Sequence, residues 1–388
     1  MQPDAHSMIA PKTEPPRGEN TVTVLTAQAA GAIAVVRLEG SLVELAIRRR
    51  AWSRSGQPIE MPPGPRQRLV HWDFGGPEPE EAVLYRPSDH ALEIHCHGGA
   101  RIVENIVRAA ETDGFLRRLW ESWVSDQEAD PIAAAARIAL SHARTTRTAN
   151  ILLDQYHGAL RAALREIAAG LETGQPDAAR RLNRLCDRAS LGRHLLQPWR
   201  VVIFGPPNVG KSSILNALSG YGRAIVHPSP GTTRDLVSSL IVADGWPIEL
   251  IDTAGLRSAE DPVESLGVQK AHAAARQADL VILVFDRSQP WTPDNDAILS
   301  TQPGALLIHN KADLPPALGY RPPGLEISAL RSSDVSPMLD AVVRRLVPQP
   351  PLPGEAVPFT EEEIAAVEEA RAMAGRSQEM AASRLRRL

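Results

Sequence analysis

The sequence predicts a multidomain protein: a small α+β N-terminal domain, a helical-bundle middle domain and an α/β domain of the P-loop class. Three observations carry that prediction. Residues 199–347 alternate strand-like and helix-like runs, the mark of a sheet joined by crossover helices. Inside that region, Gly205-x-x-x-x-Gly210-Lys211-Ser212 sits between an apolar run, "RVVIF", and a helical run, the context that gives a glycine-rich turn its phosphate-cradling meaning. Composition also shifts along the chain, from β-branched runs before residue 116 to alanine, leucine and arginine over 116–196.

The elements follow in order. Residues 1–20 are polar and proline-rich and read as a disordered tail. In 21–115, "TVTVL" and "GAIAVVRL" are strand-length β-branched runs, and "LVELAIRRRAW" reads as a helix. "HALEIHCHGG" reads as a strand ending in two glycines, followed by an amphipathic helix in "ARIVENIVRAAETDG". Over 116–198, Asp130-Pro131 marks a helix start. "ANILLDQYHGALRAALREIAAG" and "PDAARRLNRLCDRASLGRHLL" read as two further helices. In 199–347, strands are expected at 200–204, 236–243, 247–251, 280–285, 304–309 and 325–328, and helices at 211–219, 264–277, 293–300 and 333–346. A stiff proline-rich linker covers 348–359. Thr360-x-x-Glu363 is a capping box that opens a last helix over 360–388, assigned to the helical domain.

Composition excludes several classes of protein. The 388 residues carry a net charge of −4, so there is no bulk attraction to nucleic acid or to an anionic membrane. Two cysteines, Cys96 and Cys186, cannot build a disulfide framework or a four-cysteine zinc site. In "HCHGG", neighbouring strand positions point to opposite faces, so the stretch reads as a glycine turn rather than a zinc site. No apolar run is long enough to span a membrane and no signal pattern opens the chain, so a cytoplasmic location is expected. Lysine is scarce beside arginine, yet Lys211 and Lys311 stand in "GKSS" and "NKAD", where a compact ammonium has a use.

The motifs at strand ends point to a guanine nucleotide. Asn208, Val209, Gly210, Lys211, Ser212 and Ser213 form the turn whose backbone N–H groups face phosphate, with Lys211 reaching the β- and γ-phosphates and Ser212 facing Mg²⁺. "GTTRD" supplies Thr232 and Thr233, which can close on the γ-phosphate and its Mg²⁺. "ELIDTAG" ends in Asp252, for the metal shell, and Gly255, for the γ-phosphate. In "NKAD", after Asn310 and Lys311, Asp313 can accept from guanine N1–H and the exocyclic amine, which adenine does not offer in this arrangement. Ser328 and Ala329 in "EISAL" present backbone N–H groups to the guanine oxygen.

"GPPNVGKS", "PGTTRD", "DTAGLR", "NKAD" and "SAL", together with the spacing in "DTAGLRSAEDPVESLGV", resemble the tRNA modification GTPase MnmE (TrmE) family. Upstream, "AGAIAVVRLEG" and "LEIHCHGGARIVENIV" are similar to that family's N-terminal domain. The resemblance implies a Ras-like G domain of the TrmE-Era type, with the N-terminal domain serving dimerisation and folate binding. It implies GTP hydrolysis assisted by K⁺ and Mg²⁺. Asn208 would then ligate K⁺, with the backbone carbonyls of His227 and Ser229. Glu264 would be the carboxylate that orients the attacking water. Arg37 and Glu93 fall where the family contacts a tetrahydrofolate derivative. The implied partners are GTP and GDP, a second copy of the chain, the flavoprotein MnmG and tRNA, with no membrane.

The chain also departs from the family. The family's "FLNGK"-like stretch corresponds to "SDQEADPIAAAARIAL", which has no lysine, and the chain ends "ASRLRRL" without the family's cysteine tail. Weak folate binding at best is therefore expected. Two outputs stay open at this point: wobble-uridine modification of tRNA, or a diverged GTPase switch acting through protein interaction.

Overall fold

The computed structural model describes residues 19–26, 31–76, 78–221, 238–252 and 273–388. Contacts divide the chain into two compact units, 1–138 and 139–388.

In the first unit, one mixed sheet carries the core. Its seven strands are β1 (Thr21–Val24), β2 (Ile33–Glu39), β3 (Ala51–Trp52), β4 (Gln67–Trp72), β5 (Glu80–Ser88), β6 (Ala91–His97) and β7 (Leu116–Arg118), in the spatial order β3-β4-β5-β6-β2-β1-β7. Alternation sets the faces. Ala34, Val36 and Leu38 of β2 and Leu92, Ile94 and Cys96 of β6 are buried in one apolar cluster with Ile106, Val107 and Ala110 of α2 (Ala100–Thr112). The sequence reading differs from the structure in two places here. Helix α1 (Val43–Arg50) stops before Ala51, which belongs to β3 and pairs with Trp72 of β4. Leu116–Arg118 forms a strand because its backbone pairs in parallel with β1, a long-range partner that residue pattern does not reveal. Beyond it lie α3 (Trp120–Gln127) and α4 (Pro131–Leu140), and Asp130 caps α4 by accepting from Ile132 N at 2.9 Å.

The second unit begins with helices. The long run expected over "ANILL…AAG" is two helices, α5 (Thr146–Tyr156) and α6 (Ala159–Glu172), broken at Gly158, whose φ of 97° is left-handed. The next run is also two, α7 (Ala178–Asp187) and α8 (Ala189–Arg193). A six-stranded sheet follows, with β8 (Trp199–Phe204), β9 (Ser238–Ala243), β10 (Trp246–Asp252), β11 (Leu280–Asp286), β12 (Leu306–Asn310) and β13 (Leu325–Glu326) in the order β13-β12-β11-β8-β10-β9. All pairings are parallel except that of edge strand β9 with β10. The parallel strands read as continuous apolar runs because both faces are covered; β11, "LVILVFD", is buried from Leu280 to Phe285. Helices α9 (Lys211–Tyr221), α10 (Pro293–Ser300) and α11 (Ser332–Leu346) accompany the sheet. Most of the helix expected over 264–277 lies outside the described residues.

The last segment is two helices, α12 (Glu361–Ala374) and α13 (Gln378–Arg386), where the sequence suggested one; Ser377 caps the second by accepting from Met380 N. The capping box at Thr360 and Glu363 is present as read. These helices pack on α6 and α7, and Arg386 Nε donates to Glu172 at 2.8 Å. The buried amide of Gln155 holds the preceding linker, donating to Glu355 O at 3.1 Å and accepting from Val357 N at 3.2 Å. Among the described residues, no helix is long and apolar enough to cross a membrane.

Candidate functional site: a phosphate turn and a base-reading edge

The carboxyl ends of β8, β10, β11 and β12 lie side by side, which is where open parallel sheets bind ligands. β8 leaves the sheet at Phe204 into a turn that only particular residues can make. Gly205 has φ 150°, and a Cβ there would lie 2.2 Å from Val284 O of β11. Asn208, at φ 61°, occupies the left-handed region that asparagine tolerates. At Gly210 (φ 95°) a Cβ would meet Asn310 Nδ2 at 2.3 Å. Glycine is therefore required at both ends of the turn, by positive φ and by the close approach of a backbone carbonyl at Gly205 and of the Asn310 amide at Gly210, independently of any ligand.

Lys211 is 8% exposed, and its Nζ donates to Gly205 O at 3.1 Å and Pro206 O at 2.7 Å. The ammonium thus sits within the ring of the turn. Ser212 Oγ donates to Asp252 Oδ2 at 2.9 Å, bringing the first turn of α9 to the end of β10. Asp252 is 4% exposed. Two hard oxygen ligands side by side beneath a phosphate turn fit a small divalent cation whose remaining ligands are phosphate and water. Val209 is buried, whereas Asn208 and Ser213 are exposed.

The edge formed by "NKAD" and "SAL" is tied to this turn through Asn310. Its Nδ2 donates to Val209 O at 2.8 Å, and its Oδ1 accepts from Ala329 N at 3.1 Å. One buried amide therefore fixes the phosphate turn and the loop after β13 relative to each other. Ser328 Oγ donates to Asp313 Oδ1 at 2.5 Å, which holds this exposed carboxyl below the usual range. Ser328 N in turn donates to Asp334 Oδ2 at 2.8 Å.

Sequence reasoning missed Asp286, at the end of β11. Its Oδ2 pairs with Lys311 Nζ at 2.7 Å, and its Oδ1 accepts from Ser288 N at 2.9 Å and Ser288 Oγ at 2.7 Å. Partial burial pushes its carboxyl up, but the Lys311 and Ser288 hydrogen bonds outweigh that and hold it below the usual range. The pair fixes Lys311, whose backbone is left-handed at φ 64°. An aspartate ending an apolar strand in "VFDRS" was the available signal. Pro206, Asn208, Asp286, Asn295 and Lys311 line part of a cavity of about 380 Å³.

Thr232, Thr233, His227, Ser229, Gly255 and Glu264 lie outside the described residues. Arg37 and Glu93 belong to the first unit, directly opposite each other on β2 and β6. Arg37 Nη1 meets Glu93 Oε1 at 2.7 Å, and its Nε meets Glu39 Oε1 at 2.8 Å. The guanidinium lies 5.3 Å from the Trp123 ring centroid, and Trp123 Nε1 donates to Glu39 Oε1 at 3.3 Å. Arg37 therefore already pairs with two carboxylates through its Nε and Nη1, and any ligand carboxylate that recruited it would compete with them. In "HCHGG", a Cβ at Gly98 would lie 2.0 Å from Gly31 O, as a glycine turn requires. Cys96 is buried, and burial pushes its thiol up to about 11. Among the described residues, no group of three or more His, Cys, Asp or Glu side chains can hold a metal.

A family model described as a 50S ribosome-binding GTPase matches residues 200–311. Curated relatives match over most of the chain. The tRNA modification GTPase MnmE of Prochlorococcus marinus (strain MIT 9303) is 34% identical over 78% of this chain and 74% of its own length. That of Synechococcus sp. (strain CC9605) is 33% identical over 84% and 80%, and that of Geobacillus kaustophilus 31% identical over 76% and 73%. Among solved structures, Aquifex aeolicus Era bound to GDP and AlF4⁻ is 25% identical over 44% of this chain and 65% of that one, with a TM-score of 0.29. The family match over 200–311 and the curated relatives make the protein a GTP-binding, GTP-hydrolysing enzyme, and the chain belongs to the MnmE family.

Proposed function

We propose that this protein is the GTPase of wobble-uridine modification in tRNA, acting in the cytoplasm as a homodimer with the flavoprotein MnmG. The observation that carries the proposal is the 34% identity to a named tRNA modification GTPase, extending over 74% of that relative's length. In this reading, 21–115 serve dimerisation, 116–198 with 360–388 form the helical arm, and 199–347 bind nucleotide.

The chain's own residues then divide the work. The backbone N–H groups of 208–213 receive the phosphates, and Lys211 leaves the carbonyls of its own turn for the β- and γ-phosphate oxygens. Gly255 and Thr232 contact the γ-phosphate. Asp313 accepts from the guanine edge, with Ser328 holding its carboxylate in place, and Ala329 with Ser328 offers N–H groups to the guanine oxygen. Lys311, steadied by Asp286, lays its stem along the base. Ser212, Thr233 and Asp252 would hold Mg²⁺, which when bound neutralises charge on the β- and γ-phosphates. Asn208, with the carbonyls of His227 and Ser229, would hold K⁺, which supplies positive charge where a separate arginine acts in other GTPases. Glu264 orients the attacking water; Leu256 follows Gly255 and cannot hydrogen-bond through its side chain, so another residue must do this.

Modified-nucleoside analysis of tRNA tests the proposal. A strain lacking the protein is expected to lose the wobble-uridine modification, and a Lys211→Ala copy is expected not to restore it. Unchanged nucleosides in the deletion strain would leave a GTPase whose output is a protein interaction.

A further inference from the structure

The nucleotide edge is gripped from its far end. β9 and β10 are joined by the two-residue turn Asp244-Gly245, both left-handed at φ 46° and 76°, as a tight hairpin requires. The N-terminus of α5 holds this turn. Thr145, the N-cap of α5, donates from Oγ1 to Gly245 O at 2.6 Å. Arg147 Nη2 donates to Asp244 Oδ1 at 3.0 Å, and its guanidinium lies 5.4 Å from the ring centroid of buried Trp246. The approach is close: a Cβ at Gly245 would lie 2.9 Å from Arg147 Cβ.

From this turn β10 runs to Asp252. The strand is buried along nearly its whole length and hydrogen-bonded on both sides, to β8 and β9. Such a strand behaves as a rod about 20 Å long. A setting imposed at Trp246 is carried to Asp252, whose Oδ2 meets Ser212 Oγ.

We propose that Thr145 and Arg147 are positioning residues for the nucleotide site, fixing the axial setting of β10 and so the placing of Asp252 against Ser212. The proposal rests on the reading of Ser212 and Asp252 as part of that site. The grip also makes the helical segment respond to the nucleotide, because coupling between two sites is reciprocal. A diphosphate and a triphosphate make different demands on the oxygens at Ser212 and Asp252, so the grip favours one over the other.

The test measures the affinity of the full chain, with Mg²⁺, for GDP and for a non-hydrolysable GTP analogue. Arg147→Ala is expected to change the ratio of the two affinities by about fivefold or more. Asp244→Asn, which keeps the turn's backbone preference, is expected to shift it in the same direction. Thr145→Ala should do so as well, and Thr145→Ser, which retains the hydroxyl, should restore the wild-type ratio. A wild-type ratio in all these variants, with only a lower melting temperature, would reduce the grip to a structural contact and overturn the proposal. If the wild-type chain binds neither nucleotide, the reading of the site itself fails and the proposal falls with it.

Discussion

The nucleotide edge and the Arg37 cluster are both built from charged side chains on β-strands, and they end up in opposite conditions. At the nucleotide edge the polar groups stand at strand ends. Asn310 and Ser328 are buried and bonded to loops on either side, while Asp313 at the rim is exposed. Inside the first unit, Arg37 sits mid-strand, opposite Glu93 and next but one to Glu39, and all three charges settle on each other. Strand ends let buried groups aim others outward. A mid-strand pair facing across one ladder is close enough to neutralise itself. Chemistry-bearing residue types are thus informative in proportion to where the strand stops.

Four changes sharpen or break this contrast. The largest effect is expected within the nucleotide site itself. Glu264→Ala should lower turnover by about 10²–10⁴-fold and leave GTP affinity close to wild type, since a water-orienting group acts on the reaction and not on binding. A parallel loss of affinity, or full turnover in Glu264→Ala with loss in Glu260→Ala, would move the assignment. In the first unit, Arg37→Met leaves Glu39 and Glu93 without their cation. Removing one partner of a buried ion pair costs about 3–5 kcal/mol. Denaturant unfolding should therefore show an earlier transition, with GDP affinity unchanged. A neutral result would mean that the two carboxylates find other partners.

The G domain was legible because its signals are local. "GPPNVGKS" and "NKAD" each lie at the end of an apolar strand, "SAL" follows the short β13, and the described strands fall within a few residues of their expected places. What sequence could not supply was side-chain company. Arg37 and Glu93 resemble a ligand pair by position, yet their separation across β2 and β6, and the approach of Trp123 from α3, exist only after folding. Asp286 was missed because it contacts Lys311 across the β11–β12 pair rather than within a motif. Strand β7 depends on pairing with β1, and the break between α5 and α6 on the left-handed backbone of a single glycine.

Two smaller effects probe the open edge. Asp313→Asn should weaken GTP binding by about ten- to a hundredfold and shift preference toward xanthine nucleotides, because the amide presents a donor where guanine also donates. Equal wild-type affinity for ATP and GTP would contradict base reading at Asp313. Hydrolysis should run faster in KCl than in NaCl at equal ionic strength, and Asn208→Ala should lower the KCl rate by about tenfold, removing most of the difference. Identical wild-type rates in the two salts would return Asn208 to the role its φ of 61° already explains, that of a turn residue.

Calorimetry of the full chain with two ligands tests the central contrast most directly. GDP with Mg²⁺ is expected to bind, and Lys211→Ala to abolish the heat. 5-Formyl-tetrahydrofolate is expected to bind weakly at best, because drawing Arg37 away leaves the buried Glu39 and the half-buried Glu93 uncompensated. Submicromolar folate binding would contradict the account: the Arg37 cluster would then be a ligand site that opens, and not a pair satisfied within the fold.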